Sequence, residues 1–121
     1  MDWSMDDGTA TLVAYEDGTT SLYTSTGGGI IGAGTHQEVR DDAEAFRTEA
    51  ERMLKEFTAI AATDSLPLPP PNAVSFYVVT DSATLRAGPI ASQRLIAGED
   101  PLAALGKKAQ EVIAAIHNVA P

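Results

Sequence analysis

The first part of the chain contains two runs that mix apolar residues with threonine, a pattern that is typical of β-strands. Residues 9–15 and 19–26 each predict a strand, rich in threonine and carrying Leu12 and Leu22. Residues 16–18 between them, Glu-Asp-Gly, predict a tight hairpin turn, because Asp-Gly accepts the positive φ that such turns need. Ahead of the hairpin, residues 1–8 are acidic and predict a frayed N-terminal tail.

A long helical pattern follows and predicts a helix over residues 36–62. Thr35 and Glu38 have the spacing of a capping box, in which each side chain bonds to the other residue's backbone amide. Arg and Glu residues four apart predict a solvated opposite face rather than a site. The apolar residues recur at steps of three and four: Val39, Ala43, Phe46, Ala50, Met53, Phe57 and Ile60.

The second half repeats this order. Residues 74–80 predict the clearest strand, and residues 83–87 predict its returning partner, which Gly88-Pro89 ends. Residues 90–97 fit a short helix, a further strand or a loop. Asp100 and Pro101 then predict the start of a second helix, with Asp100 as the N-cap. Its apolar stripe runs to Ile116.

A proline-rich connector over residues 62–72 joins the two halves, and its prolines hold it extended. One interpretation is a stiff strap packed across the fold, as expected of a long connector in a small domain. The other is a PxxP-like ligand for a partner protein.

The order of elements is therefore β-β-α-β-β-α over a single domain, residues 1–121. Hairpins favour antiparallel pairing, so we predict an α+β fold with one mainly antiparallel sheet packed against two helices.

Both faces of this predicted sheet carry apolar side chains, although a half-exposed strand should alternate apolar and polar residues. If both helices cover one face, the other is left partly bare, and a bare apolar face usually marks an interface. We therefore predict a homodimer or a docked protein partner. The alternatives are that the helices divide between the faces, or that the strap covers the remainder. The predicted interface residues are Val13, Tyr15, Tyr23, Tyr77 and Val79.

The composition excludes several classes of function. The formal net charge of −9 disfavours nucleic acids and anionic membranes as partners. The absence of cysteine removes disulfides, thiolate metal sites and thiol nucleophiles. The first residues lack the pattern of a secretory signal, and no apolar run approaches the roughly 20 residues of a membrane helix. We expect a cytoplasmic protein.

The run of glycines at 27–34 is the strongest candidate for a ligand site. It spells G-x-G-x-x-G, but Ala33 and Gly34 separate the last glycine of this motif from the predicted helix start, and acidic residues occupy the first turn. The spacing of Gly29 and Gly34 also fits a P-loop, yet Thr35 stands where the lysine belongs. We interpret the run as a strand end or close backbone approach. If a small molecule or anion binds, the residues are Gly27, Gly28, Gly29, Gly32, Gly34, Thr35 and His36.

Other chemistry is weakly supported. His36 and His117 are predicted at different helix ends, and a metal site needs three or four converging ligands. We therefore predict no catalytic residue, no metal and no cofactor, and the pattern favours a protein that is not an enzyme.

Several short motifs carry a resemblance that spans most of residues 9–117. They are residues 25–32, His36, Val39, Pro67-Leu68-Pro69, Phe76-Tyr77, Asp100-Pro101-Leu102 and residues 109–113. In these motifs the chain resembles a family of small uncharacterised bacterial proteins, which implies no activity and no catalytic residues. More loosely, its hairpin–helix–hairpin–helix order is similar to that of roadblock and longin-like domains, which implies a dimerising adaptor often tied to small GTPases.

Overall fold

The structure, a computed structural model, describes residues 1–61 and 66–119. One antiparallel sheet of seven strands packs with helices in a single small α+β domain, which confirms the predicted fold class. The strands are β1 (Asp2–Met5), β2 (Gly8–Ala14), β3 (Thr20–Thr24), β4 (Gly29–Ile30), β5 (Thr58–Ile60), β6 (Ala73–Val79) and β7 (Thr84–Ala91). The helices are α1 (Gln37–Arg52), α2 (Ser92–Ile96) and α3 (Ala103–Val119). The sheet order is β4-β3-β2-β1-β6-β7-β5.

The prediction of a frayed tail over residues 1–8 is wrong, because β1 is the central strand of the sheet. Asp2 pairs with Thr11 of β2 on one side and with Ser75 of β6 on the other. Its carboxylate accepts a hydrogen bond of 2.7 Å from the Thr11 hydroxyl, and only 6% of Asp2 is exposed. A carboxylate with such a partner can occupy a strand, so its charge did not require solvent. Trp3 points to the opposite face and packs against the core.

The first predicted helix is too long. Helix α1 ends at Arg52, a 3-10 turn over Leu54–Glu56 follows, and β5 then pairs with β7. Phe57 is extended, with φ −100° and ψ 150°, and packs against the core from there. Apolar residues spaced by three or four fit a helix, but they also fit a turn followed by a strand. Ala62, the predicted end, lies outside the described residues.

In the second half, Gly88-Pro89 lies inside β7 and does not end it. The register between β6 and β7 shifts at this point, and Gly88 has a φ of 103°. A side chain at Gly88 would lie 2.7 Å from the Val74 carbonyl, so this bulge requires glycine. Residues 90–97 divide between the end of β7 and α2. The Leu102 amide donates to Asp100 Oδ1 at 2.9 Å, as predicted for the cap of α3.

Both long helices pack on the same face of the sheet and against each other. Since directly paired residues share a face, the register places the apolar residues of the central strands on the helix side. We call the opposite surface of the sheet the open face. The core contains Leu12, Leu22, Val74, Phe76 and Ala87 from the sheet, Val39, Ala43 and Phe46 from α1, and Leu105, Ala109, Val112 and Ile116 from α3.

The amino group of Met1 is enclosed where β1 meets β2, and it donates to the Leu12 carbonyl at 2.9 Å. Burial lowers its pKa from 8.0 to about 6, and the Asp2 carboxylate only partly opposes this. Between those two pH values the unfolded chain binds more protons than the folded one, so the free energy of unfolding should rise with pH.

We therefore expect the chain with a free Met1 amino group to gain about 3 kcal/mol at most between pH 5.5 and pH 8.5. Urea unfolding at these two values measures the gain. A variant with both His36 and His117 replaced by glutamine removes the other groups that commonly titrate near neutral pH, and it should keep the gain. A flat profile in that variant would contradict the prediction.

Candidate functional site

The glycine run is divided among three different local structures. Gly27, with a φ of 102°, and Gly28 form the turn between β3 and β4. The Gly28 amide donates to the Thr24 hydroxyl oxygen at 3.0 Å, and that hydroxyl contacts the Gly28 carbonyl at 3.1 Å. Gly29 and Ile30 then pair with β3 at one edge of the sheet. The turn thus uses polar groups that a phosphate loop would leave free for its ligand.

Gly34 has a packing role that can be read directly from its surroundings. It is buried in the 3-10 helix Ala33–Thr35, and an added Cβ would lie 2.0 Å from the Gly18 carbonyl oxygen. Gly18 belongs to the turn between β2 and β3, so two glycine backbones meet here. Arg40 lies over this contact and donates from Nη1 to the Gly34 carbonyl at 3.3 Å. The close approach supports the structural interpretation of Gly34.

Asp17 completes this corner of the molecule. Its carboxylate accepts a hydrogen bond from the Thr19 amide at 2.9 Å. That bond, then the Thr19 side chain and more weakly the charge of Arg40, lower the pKa of Asp17. The carboxylate therefore stays charged near neutral pH, and its hydrogen bond to the Thr19 amide stabilises the turn between β2 and β3.

The predicted capping box at Thr35 and Glu38 is wrong. Thr35 already belongs to the 3-10 helix, so His36, with φ −92° and ψ 128°, takes the N-cap position of α1. No side chain caps this end, and both Thr35 and His36 are exposed. The Thr35 side chain therefore does not occupy the first backbone amides of α1, contrary to the predicted cap. Glu38 still places a negative charge in the first turn, which disfavours an anion.

None of the candidate ligand residues lines either of two surface grooves, which have volumes of about 390 and 430 Å³. Within residues 1–61 and 66–119, no three His, Asp or Glu side chains form a group that could hold a metal ion. His36 precedes α1, whereas His117 lies in the last turn of α3. No helix in the described part of the chain is long and apolar enough to cross a membrane.

The five predicted interface residues lie together on the open face. The register puts Tyr23 in one row with Thr11, Asp2 and Ser75, and alternation puts the others on the same side. Tyr15, Tyr23 and Val79 are 57%, 42% and 67% exposed, while Val13 and Tyr77 are half-buried.

The described part of the proline-rich connector, residues 66–72, contacts the same face at Tyr77. The Tyr77 hydroxyl donates to the Pro67 carbonyl, and Pro69 is buried. Ser4 and Ser75, which face the same side, are also buried. We infer that the strap covers the middle of the open face and leaves its margins exposed. The first part of the predicted connector, residues 62–65, lies outside the described residues.

Leu68 is a member of this surface that sequence reasoning missed. It lies between Pro67 and Pro69 and is 63% exposed. The carbonyl of Pro67, the preceding residue, accepts from the Tyr77 hydroxyl, so Leu68 lies next to the open face. The sequence could have predicted this exposure, because Leu68 is a single leucine among prolines. It belongs to no strand or helix pattern that would place it in the core.

No protein family, curated protein or solved structure matches this chain.

Proposed function

We propose that the protein is a non-catalytic interaction module and that its partner is a second copy of the same chain, bound through the open face. A group of exposed apolar side chains on this face carries the proposal: Tyr15, Tyr23, Val79 and Leu68. Large apolar surfaces are rare on soluble monomers and commonly mark interaction sites. Aromatic residues such as these tyrosines are also enriched at interfaces.

The register brings two of these side chains to one level of the sheet. Because Thr11 and Ser75 both pair with Asp2, Tyr15 on the β2 side lies level with Val79 of β6. A partner can therefore contact both margins at this end of the face.

The distribution of charge favours a second copy over a basic partner. The chain carries a net charge of −9, so most of its surfaces would repel each other. The strand residues of the open face include one acid, Asp2, and one base, Arg86. Two copies can thus meet face to face with little like-charge repulsion, and two-fold dimers are the commonest oligomers. The resemblance to adaptor domains points in the same direction. We propose that the protein acts in the cytoplasm.

Sedimentation velocity tests the dimer. We expect the wild-type chain to form dimers at micromolar concentrations. A two-fold interface contains each residue twice, so Val79→Ser should cost about 2 kcal/mol and raise the dissociation constant roughly thirtyfold. Ile96→Ser is the matched control, since Ile96 is 79% exposed but lies on α2, away from the open face.

The proposal is wrong if the wild-type chain sediments as a monomer at 100-fold higher concentration, or if both substitutions weaken the dimer equally. The alternative function, small-molecule or anion binding at Gly27–Gly34, is tested separately by thermal shifts with nucleotides, phosphates and divalent metals. A ligand at a hundredfold excess over its dissociation constant should stabilise the protein by about 2.7 kcal/mol.

A further inference from the structure

An apolar groove opens on the helix side of the molecule, between α2, the first turns of α3 and the start of β1. Its volume is about 430 Å³, within the range of small-molecule sites. A dry apolar cavity of about 150 Å³ already holds benzene. The lining includes Met1, Trp3, Leu95 and Ile96, and Ile96 is 79% exposed.

Small residues of α3 keep this groove open, and Gly106 is the clearest case. The three atoms nearest to a Cβ added at Gly106 all belong to Leu95, at ordinary distances of 3.7 to 3.8 Å. Its φ does not lie in the left-handed region, so neither the backbone nor the packing requires glycine. Glycine nevertheless destabilises a helix. An alanine would fit here in ordinary contact with Leu95, so the lining lacks a methyl group at the expense of helix stability, and an occupant of the groove would account for its absence.

One positive charge lies at the groove. Lys107 is the single charged side chain of its lining, although acidic residues outnumber basic ones in the chain by 17 to 8. The amino group of Met1, which also lines the groove, donates to the Leu12 carbonyl. Among residues 1–61 and 66–119, Lys107 forms no ion pair, whereas its neighbour Lys108 lies 3.7 Å from Glu111. Gln110, one turn further on α3, adds an amide donor to the same lining. The polar groups at the groove can therefore donate to an anion, while the rest of the lining suits an apolar body.

From this combination we propose that the groove binds a small amphipathic anion, such as a medium-chain carboxylate. The apolar chain lies against Trp3, Leu95 and Ile96, and the carboxylate lies at Lys107 and Gln110. This site is distinct from the open face and does not depend on the proposed dimer.

Trp3 provides the measurement, because it is the single tryptophan of the chain and lines the groove. Octanoate is the probe, with butyrate and octanol as comparisons. We expect octanoate to change the tryptophan emission in a saturable manner, butyrate to have no effect at the same concentration, and octanol to bind more weakly than octanoate.

Two neighbouring lysines give a matched pair of variants. Lys107→Gln should raise the dissociation constant of octanoate about threefold, the size expected for an exposed charge pair, and leave that of octanol unchanged. Lys108→Gln should affect neither. Gly106→Leu should fill the groove and abolish binding of both, and Ile96→Ser should weaken both in case the leucine variant does not fold. Val79→Ser, on the open face, should bind octanoate normally.

The proposal is overturned if octanoate gives no saturable change at millimolar concentration, or if the two lysine variants behave alike. It is equally overturned if the Gly106→Leu chain is folded and binds octanoate with the same dissociation constant as the wild type. None of these outcomes bears on the sedimentation of the wild-type protein, so the groove and the dimer can fail independently.

Discussion

Replacing Ser4 with proline is expected to unfold most of the protein at moderate urea concentrations, whereas replacing it with alanine leaves it folded. Ser4 is 4% exposed and lies in β1, which pairs with β2 on one side and β6 on the other. Proline removes a ladder hydrogen bond from this central strand, so we expect a loss of about 3 kcal/mol or more. Ser4→Ala removes only the hydroxyl contact with Thr9 at 2.9 Å and should cost about 1 kcal/mol.

Equilibrium urea unfolding followed by circular dichroism gives both values. The comparison separates two descriptions of the N-terminus, because a frayed tail over residues 1–8 would accept either residue without effect. Equal stability of the proline and wild-type chains would restore the tail interpretation and contradict the central position of β1.

The second large effect is expected at Gly34. An alanine Cβ at this position would lie 2.0 Å from the backbone oxygen of Gly18, and a backbone cannot move aside as a flexible side chain can. The 3-10 turn would have to separate from the hairpin turn, which should cost about 3 kcal/mol, at the upper end of typical overpacking.

Gly27→Ala is the matched control within the same run. Its φ of 102° disfavours alanine, but no atom lies within 4 Å of the added Cβ. We expect a smaller loss of about 1–2 kcal/mol, due to backbone conformation alone. Thermal unfolding of the two variants gives the order. A Gly34→Ala protein as stable as the Gly27→Ala protein would contradict the close packing of the two turns.

The sequence predicted the elements with strong local signals. The strand predicted over residues 74–80 corresponds to β6, Ala73–Val79. Asp100 caps the N-terminus of α3, as its position before Pro101 predicted. These features depend on side-chain alternation and on a side chain close to the backbone it bonds. Both are encoded within a few residues, so a local pattern was sufficient.

The wrong predictions for the N-terminal tail and the capping box share a different cause. In both places the structure depends on contacts with residues distant in the chain. The Asp2 carboxylate accepts a hydrogen bond from the Thr11 hydroxyl, and its strand pairs with β6 at Ser75. Thr35 lost its capping role because Gly34 is held against Gly18, which fixes a 3-10 turn at that point. A local pattern contains none of these long-range contacts.

The two candidate sites also differ in whether the local sequence could predict them. The one-sided placement of Tyr15, Tyr23 and Val79 follows from strand alternation alone and could be predicted. The groove next to Gly106 could not, because its walls come from both ends of the chain. Nothing in the sequence around Trp3 indicated that it lies beside α3 in the lining of this groove.

The central position of β1 has a consequence for how the chain reaches its native state during synthesis. Strands β1 to β4 can pair as they leave the ribosome, since each lies next to its neighbour in sequence. The other edge of β1 must wait for β6, which is made more than half a chain later. Contacts between such distant segments form slowly, and an unpaired strand edge is a template for aggregation. The edge of β1 therefore has to stay protected in the nascent chain until the C-terminal half has been synthesised.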